Sequence, residues 1–495
     1  MLPTGRSAGA VLVATSLATF VALMNYTAPM FAIPGMTADF GTSLAGQPWL
    51  LNGTPLGLAA LLLVAGSFAD DYGRKRVFVA GMGALTVTMA LGALATSTLT
   101  FTLARVAQGA ASAAVIASSL GLLAHAYPPG PARVRATGVW GATLSGGIAV
   151  GGPLSASLGT LDWRLCYVPL AAAMLVLTVV AARTLPESRS PREGRPDLAG
   201  ALLLGLALTA LLAALTLGRN GWLRPQVYGL AAVALALVAA FAVVERKVGA
   251  PLLDLGLFRR PAFLAATSGA LFTGLGVIGM FSYLPALLQQ SLGMSGPATA
   301  WLFLFWSGTG LLSALQARRL GGRMSARHQL ALGFVLSALG ALAMLGALAA
   351  GSWERTVPGF LLGGIGSGML NAALPRLAVE SVPADRAAMG SGANNTARYI
   401  GSSMGLALTV VLATAPHGGT PAHSIALGTD TALYAAAGLM LAGALAALLF
   451  RERRAPARAE VPAERGADAG VRERPVVGGR PCAPADAGSS PTPAA

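Results

Sequence analysis

Apolar stretches of about 20 residues, unbroken by charge, recur from one end of this chain to the other. That is the length a helix needs to cross a hydrocarbon layer roughly 30 Å thick. Inside lipid a segment must satisfy its own backbone hydrogen bonds, which leaves helices or a closed barrel. A barrel would show short alternating segments instead. A length of 495 residues would by itself suggest two or more soluble domains, but 55% hydrophobic and only 11% charged residues override that. The expectation is an all-α polytopic membrane protein.

About fourteen stretches have the length a bilayer requires. They begin near residues 10, 49, 77, 101, 136, 165, 198, 226, 262, 298, 329, 357, 387 and 431. The first, Ala10 to Ala32 behind Arg6, is longer than the apolar core of a signal peptide, about 7–15 residues, and many spans follow it. It reads as a retained first helix, with cleavage as the alternative.

The net charge of +15 would suit a nucleic-acid binder, but the placement of the charge argues otherwise. Arg and Lys concentrate in alternate short connections and in the tail, which is the positive-inside pattern and puts both termini in the cytoplasm. Trp49, Trp163, Trp222, Trp301 and Trp353 then fall near the outer boundary, where indole rings favour the interface. Cys166 and Cys482 form neither a disulfide framework nor a metal cluster. No phosphate loop, nucleophile triad or metal-ligand spacing occurs in a suitable context, so no enzyme, cofactor or metal is expected.

Two long connections, 183–197 and 245–261, divide the chain. The expected organisation is an N-terminal six-helix bundle (1–185), an inserted helix pair with its linkers (186–261) and a C-terminal six-helix bundle (262–451). A disordered cytoplasmic tail (452–495), rich in Pro, Ala, Gly and mixed charge, follows.

The densest charge sits in "GSFADDYGRKR" (66–76), the connection between the second and third spans. An ordinary positive-inside loop explains its basic residues but not their order. Gly66 permits close helix approach, Asp70 sets a carboxylate at the membrane face, Gly73 allows a tight turn, and Arg74, Lys75 and Arg76 follow. This order resembles the G-x-x-x-D-x-x-G-R-K signature of the major facilitator superfamily. The resemblance implies that Asp70 meets a positive helix end and an Arg, latching the cytoplasmic side. "RRLGGRMSARH" (318–328) echoes it in the second half, with Arg319 at the position of Asp70.

Further segments resemble the superfamily's fourteen-span drug:proton antiporter branch: "RVAQG" (105–109, holding Arg105 and Gln108), "GVWGATLSGGIAVGGPLSASLG" (138–159), "LPES" (185–188) and "GSGANNTARYIGSSMG" (390–405). The implied architecture is the major facilitator fold, two six-helix bundles plus two inserted helices. The implied activity is proton-driven efflux by alternating access, in which the bundles rock about a central cavity. In the 138–159 stretch, Gly147, Gly151 and Gly152 let another helix come close and Pro153 permits a bend, a hinge-like packing surface. Plain tight packing is the competing explanation.

Arg105 inside a membrane helix costs about 2.5–3.5 kcal/mol on insertion, so it should face a cavity or a partner rather than lipid. Snorkelling from the end of its span is the alternative. Arg398 is a second intramembrane cation, or one near the cytoplasmic face. Where relatives carry an Asp in the first span, this chain has Asn25, which cannot titrate near neutral pH. No Asp or Glu is expected at the centre of any span, and Asp39 and Asp162 are the nearest boundary carboxylates for proton coupling.

Cations without a central carboxylate suit neutral or acidic cargo better than lipophilic cations. Asn52, Tyr283, Gln289, Asn371, Asn394 and Asn395, within or at the ends of spans, line the cavity or bridge helices, with equal weight. The candidate substrate and coupling set is therefore Asn25, Arg105, Gln108, Tyr283, Gln289, Asn394 and Arg398. Partners are a small molecule, protons and membrane lipid, with no nucleic acid, at the inner membrane. Import of organic anions and a non-transporting receptor or scaffold are the competing functions.

Overall fold

The computed structural model describes residues 5–43, 46–128, 131–189, 197–218, 224–249, 255–320, 324–382 and 387–450. The tail with Cys482, Trp222, Asp254, Asp385, Gly322 and Arg323 lie outside the described residues, as do the side chains of Asp70 and Arg319. The described residues form one compact unit, and among them every regular element is helical.

The first half contains α1 (Gly5–Thr27), the short α2 (Ile33–Phe40), α3 (Gln47–Tyr72), α4 (Arg74–Ala93), α5 (Thr98–Ala126), α6 (Pro131–Leu158) and α7 (Tyr167–Thr184). Next come α8 (Leu198–Gly218) and α9 (Pro225–Lys247). The second half holds α10 (Pro261–Phe272), α11 (Gly279–Leu292), α12 (Gly296–Leu320), α13 (Ala326–Leu342), α14 (Val357–Glu380), α15 (Ala387–Ala413) and α16 (Pro421–Leu449). A π-helical turn, Thr273–Ile278, joins α10 to α11 so that the two run as one span.

Each of the expected starting points falls in a helix or in the turn leading into one. Among the described residues, ten helices are long and apolar enough to cross a membrane, and Leu202–Leu211 and Ala326–Leu342 are shorter apolar helices. The last helix begins at Pro421, ahead of the expected start near 431, because Thr420 caps it by accepting the His423 N–H. Asp430 therefore lies inside α16 rather than beyond its end, half-buried and accepting the Gly346 N–H at 3.0 Å.

Lipid tails are as apolar as leucine, so close backbone approach rather than the hydrophobic effect holds these helices together. In the first half α1 packs on α5, α6 and α7, α3 lies along α5, and α4 lies on α5 and α7. In the second half α14 packs against α12 and α13, and α16 against α13 and α15. The halves meet chiefly along α3 with α15 and along α6 with α12, while α8 and α9 pair with each other and α8 touches α3.

Candidate functional site

A cavity lies where α1, α6, α11, α12, α14 and α15 converge. Six aromatic residues dominate its wall: Tyr26, Phe31, Phe281, Phe303, Trp306 and Tyr399. Several of the hydroxyls around it are already committed. Thr27 donates to Leu23 O and Met24 O, Thr273 to Gly269 O and Ser307 to Phe303 O. Two strongly polar side chains remain, Asn371 and Arg398, and no Asp or Glu is among the lining residues.

Arg398 Nη1 donates to Asn371 Oδ1 at 3.4 Å, a long bond, and its Cζ lies 5.7 Å from the Tyr399 ring centroid. The cavity thus carries a cation held by an amide and an aromatic face rather than by a carboxylate. Close helix contact fixes that cation. Gly274, in the π-helical turn, lies against the Arg398 carbonyl, and a Cβ on it would fall 2.5 Å from Ser402 N.

Arg105 takes a different place. Its residue is 0% exposed and it does not line the cavity. Nη1 donates to Asn25 O at 2.8 Å and Gln108 Oε1 at 2.7 Å, and Nη2 to Tyr26 O at 3.1 Å. The sequence explains why those carbonyls need a donor. Asn25 O would accept the amide of the residue four positions on, which is Pro29, and proline has none. There α1 gives way to the 3₁₀ turn Ala28–Phe31. Carbonyls at a helix C-terminus carry partial negative charge, so the broken helix end acts as the counter-charge for a buried cation without a carboxylate.

Asn25 and Gln108 complete the cluster. Asn25 Nδ2 donates to Gln108 Oε1 at 3.2 Å, and Gln108 Nε2 to Thr88 O at 2.9 Å. Both are 0% exposed, so the expected cavity group of Asn25, Arg105 and Gln108 is instead a buried brace behind Tyr26. Tyr283 is likewise buried and donates to Gln47 Oε1 at 2.8 Å, tying α11 to α3 across the halves. Asn394 Nδ2 donates to Ala266 O at 2.8 Å, bridging α15 to α10, and Gln289 is half-buried. None of these three lines the cavity; of the seven expected residues, Arg398 does.

The glycines of α6 face α1. A Cβ on Gly147 would meet the Phe20 carbonyl oxygen at 2.5 Å and Leu23 Cβ at 2.9 Å, and one on Gly151 would meet Met24 Cα at 2.7 Å. Gly152 abuts the Phe31 ring, and with Pro153 it also lines the cavity. This contact lies within the first half, whereas α6 reaches the second half through α12.

At the charged end, α3 stops at Gly73, whose φ of 122° favours glycine. Gly66 is half-buried, 4.0 Å from Ala117 Cβ at the position a Cβ would take. Arg74 Nη1 donates to Gly121 O at 3.1 Å. The partner missed in the sequence is Glu187. Its Oε1 accepts the Lys75 N–H at 3.0 Å, and Oε2 lies 3.7 Å from Arg76 Nε. Arg74 N also donates to Ser188 O at 2.9 Å. A carboxylate therefore sits at the N-terminus of α4, as a helix dipole favours, but it comes from the "LPES" stretch. Glu187→Ala is expected to cost about 0.5–2 kcal/mol, as loss of a helix cap does, and to lower the thermal midpoint of the purified protein. An unchanged midpoint would show that this contact contributes nothing.

At the opposite end Asp39 Oδ2 accepts from Arg164 Nη1 at 2.6 Å and from Trp163 Nε1 at 2.8 Å. The Arg164 bond, then the indole N–H, hold the Asp39 carboxyl below its ordinary value of 3.8. A depressed carboxylate contributes stability above its unfolded pKa, and that contribution fades as pH falls through the lower folded one. Acid melting should therefore show this loss below about pH 4 in the wild type, and Asp39→Asn should flatten it. Equal acid profiles would count against the pair. Asp39, one of the two boundary carboxylates expected for coupling, is thus held in an ion pair with Arg164 here. Asp162 is engaged with the same residue, accepting the Arg164 N–H at 2.8 Å.

Comparison with known proteins supplies context for this geometry. A family model described as Major Facilitator Superfamily matches residues 15–406. The chain is 33% identical over 403 residues to the probable actinorhodin transporter of Streptomyces coelicolor, covering 78% of this chain and 69% of that protein. It is 32% identical over 471 residues to the puromycin resistance protein pur8 of Streptomyces alboniger, covering 91% and 92%. Among solved structures, the peptide transporter POT superposes with a TM-score of 0.64 at 15% identity, over 88% of this chain and 93% of that one.

Proposed function

This chain belongs to the major facilitator superfamily, and on that premise we propose that it exports small organic molecules by alternating access. The observation that carries the proposal is the aromatic cavity at the junction of the two helix sets, with Arg398 in its wall and no lining carboxylate. Resemblance to proteins named for antibiotic transport and resistance supports the direction. In this reading helices 1–185 and 262–451 are the rocking bundles, residues 186–261 an inserted pair, and fourteen spans cross the inner membrane. The charged end faces the cytoplasm, as do both termini. Neutral or acidic molecules are the cargo, because a lipophilic cation would meet an uncompensated guanidinium.

The proton gradient is the proposed driving force, on the likeness to the antiporter branch. Cells carrying the protein should accumulate less cargo, and an uncoupler should abolish the difference. Raised accumulation would mean import, and no difference a non-transporting role.

The 66–76 turn is proposed as the latch of the cytoplasmic side, with Gly73 and Glu187 setting its geometry. Asp70→Asn should fold normally yet slow export several-fold, since a latch biases two conformations without touching cargo. Export at the wild-type rate by a folded Asp70→Asn protein would end this assignment.

A further inference from the structure

Within the export reading, the chemistry of the cavity wall narrows the cargo further. Two aromatic pairs face each other across the junction of the halves. Tyr26 lies 6.3 Å from Tyr399, and Phe31 lies 5.5 Å from Phe303 edge-on, measured between ring centroids. On the second half Phe281 and Trp306 are stacked at 5.0 Å and 14°. Ring faces and edges of this kind prefer another aromatic ring, beyond what the buried area alone gives. Arg398 stands beside this wall. Its sole hydrogen bond among the described residues is the 3.4 Å contact to Asn371, and its Nε has no acceptor. A guanidinium presents five donors in a fork that matches a carboxylate bidentately. The site therefore has unused donors next to a set of rings.

We infer that the cavity takes planar aromatic acids, with the carboxylate on Arg398 and the ring system against Tyr26, Phe31, Phe303 and Tyr399. The ligand carboxylate displaces Asn371 Oδ1 as the acceptor, exchanging a long neutral contact for charge-assisted bonds. The ring system separates the cross-half aromatic pairs as it enters, so one molecule touches both halves. Binding by both halves is what allows cargo to bias their relative tilt.

The test uses the full-length protein in lipid nanodiscs and equilibrium binding of four probes. These are anthracene-2-carboxylate, its methyl ester, the saturated tricyclic acid of the same carbon skeleton, and ethidium as a planar cation. The wild type should bind the aromatic acid about tenfold or more tightly than each of the other three, as expected for a charge-assisted bond combined with ring contacts. Arg398→Gln should lower acid affinity about tenfold, erasing the preference for acid over ester, and ester binding that persists through the ring contacts shows that the variant is folded. Phe303→Ala should weaken the aromatic acid and the ester together and spare the saturated acid.

Equal affinity for acid and ester in the wild type, or an acid preference that survives Arg398→Gln, overturns the carboxylate assignment. Equal affinity for the saturated acid, or tighter binding of ethidium, overturns the aromatic-acid class. Binding is read without transport, so the export reading fails separately. It fails if the acid binds as described but cells with and without the protein accumulate it equally.

Discussion

Arg105→Met is expected to lower thermal stability sharply and to abolish transport of every cargo, whatever its charge. The substitution keeps much of the side-chain volume and removes the donors. Asn25 O, Tyr26 O and Gln108 Oε1 each lose a charged donor, at distances of 2.8, 3.1 and 2.7 Å. Bonds to a charged group contribute about 1.5–3 kcal/mol each, and Pro29 supplies no amide for Asn25 O. Relief from burying the cation offsets part of that loss, leaving a net cost of about 3 kcal/mol. The end of α1 then loses its fixed conformation, and Tyr26 and Phe31, which it presents to the cavity, move with it.

Arg105→Lys keeps the charge but as a single compact point, so it should restore less than half of the lost stability. The contrast with Arg398→Gln is the informative comparison. Arg398 has one long bond and faces the cavity, so its loss should change cargo preference with little change in melting temperature. A stable, fully active Arg105→Met protein would remove the brace from this account.

The membrane class and the helix order were legible because a bilayer imposes a length and a polarity that leave few alternatives. The cost of Arg105 in a helix was legible for the same reason. Where its guanidinium points was not, because that depends on how α5 sits against α1, and sequence spacing does not encode rotation between two helices. Pro29 was the signal that could have located it, since an internal proline marks a carbonyl in need of a donor. Arg398 was equally balanced between cavity and membrane face. The structure places it in the cavity wall, where the π-helical turn meets α15.

Glu187 escaped notice because its contact with Lys75 joins residues 112 positions apart, and nothing in "LPES" alone announces a helix cap. A Cβ on Gly147, Gly151 or Gly152 would collide with α1 or the residues that follow it, so the small size of these glycines is used in packing within the first half.

Gly401→Val is expected to be the most damaging single substitution outside the Arg105 brace. A Cβ at this position would be driven into the Leu271 carbonyl oxygen, with Leu275 N at 3.0 Å. Both are backbone atoms at the π-helical junction of α10 and α11, so no side chain can rotate aside. Overpacking in a close contact costs about 1–3 kcal/mol, and more when the obstacle is backbone. The helices must separate, and α15 carries Arg398 away from Asn371 as they do. The protein should therefore yield little monodisperse material, and any that folds should bind no cargo.

Gly438→Ala is the matching control, because no neighbouring atom lies within 4 Å of its added Cβ. There the methyl group meets open space and alanine gains about 0.5–1 kcal/mol of helix propensity over glycine, so the melting temperature should hold or rise. The two substitutions alter helix propensity in the same direction, since both replace glycine in a helix. Opposite outcomes would therefore isolate backbone contact between α10–α11 and α15 as the feature that seats the cavity's cation. If Gly401→Val melts and binds like Gly438→Ala, that contact does not hold Arg398 in place.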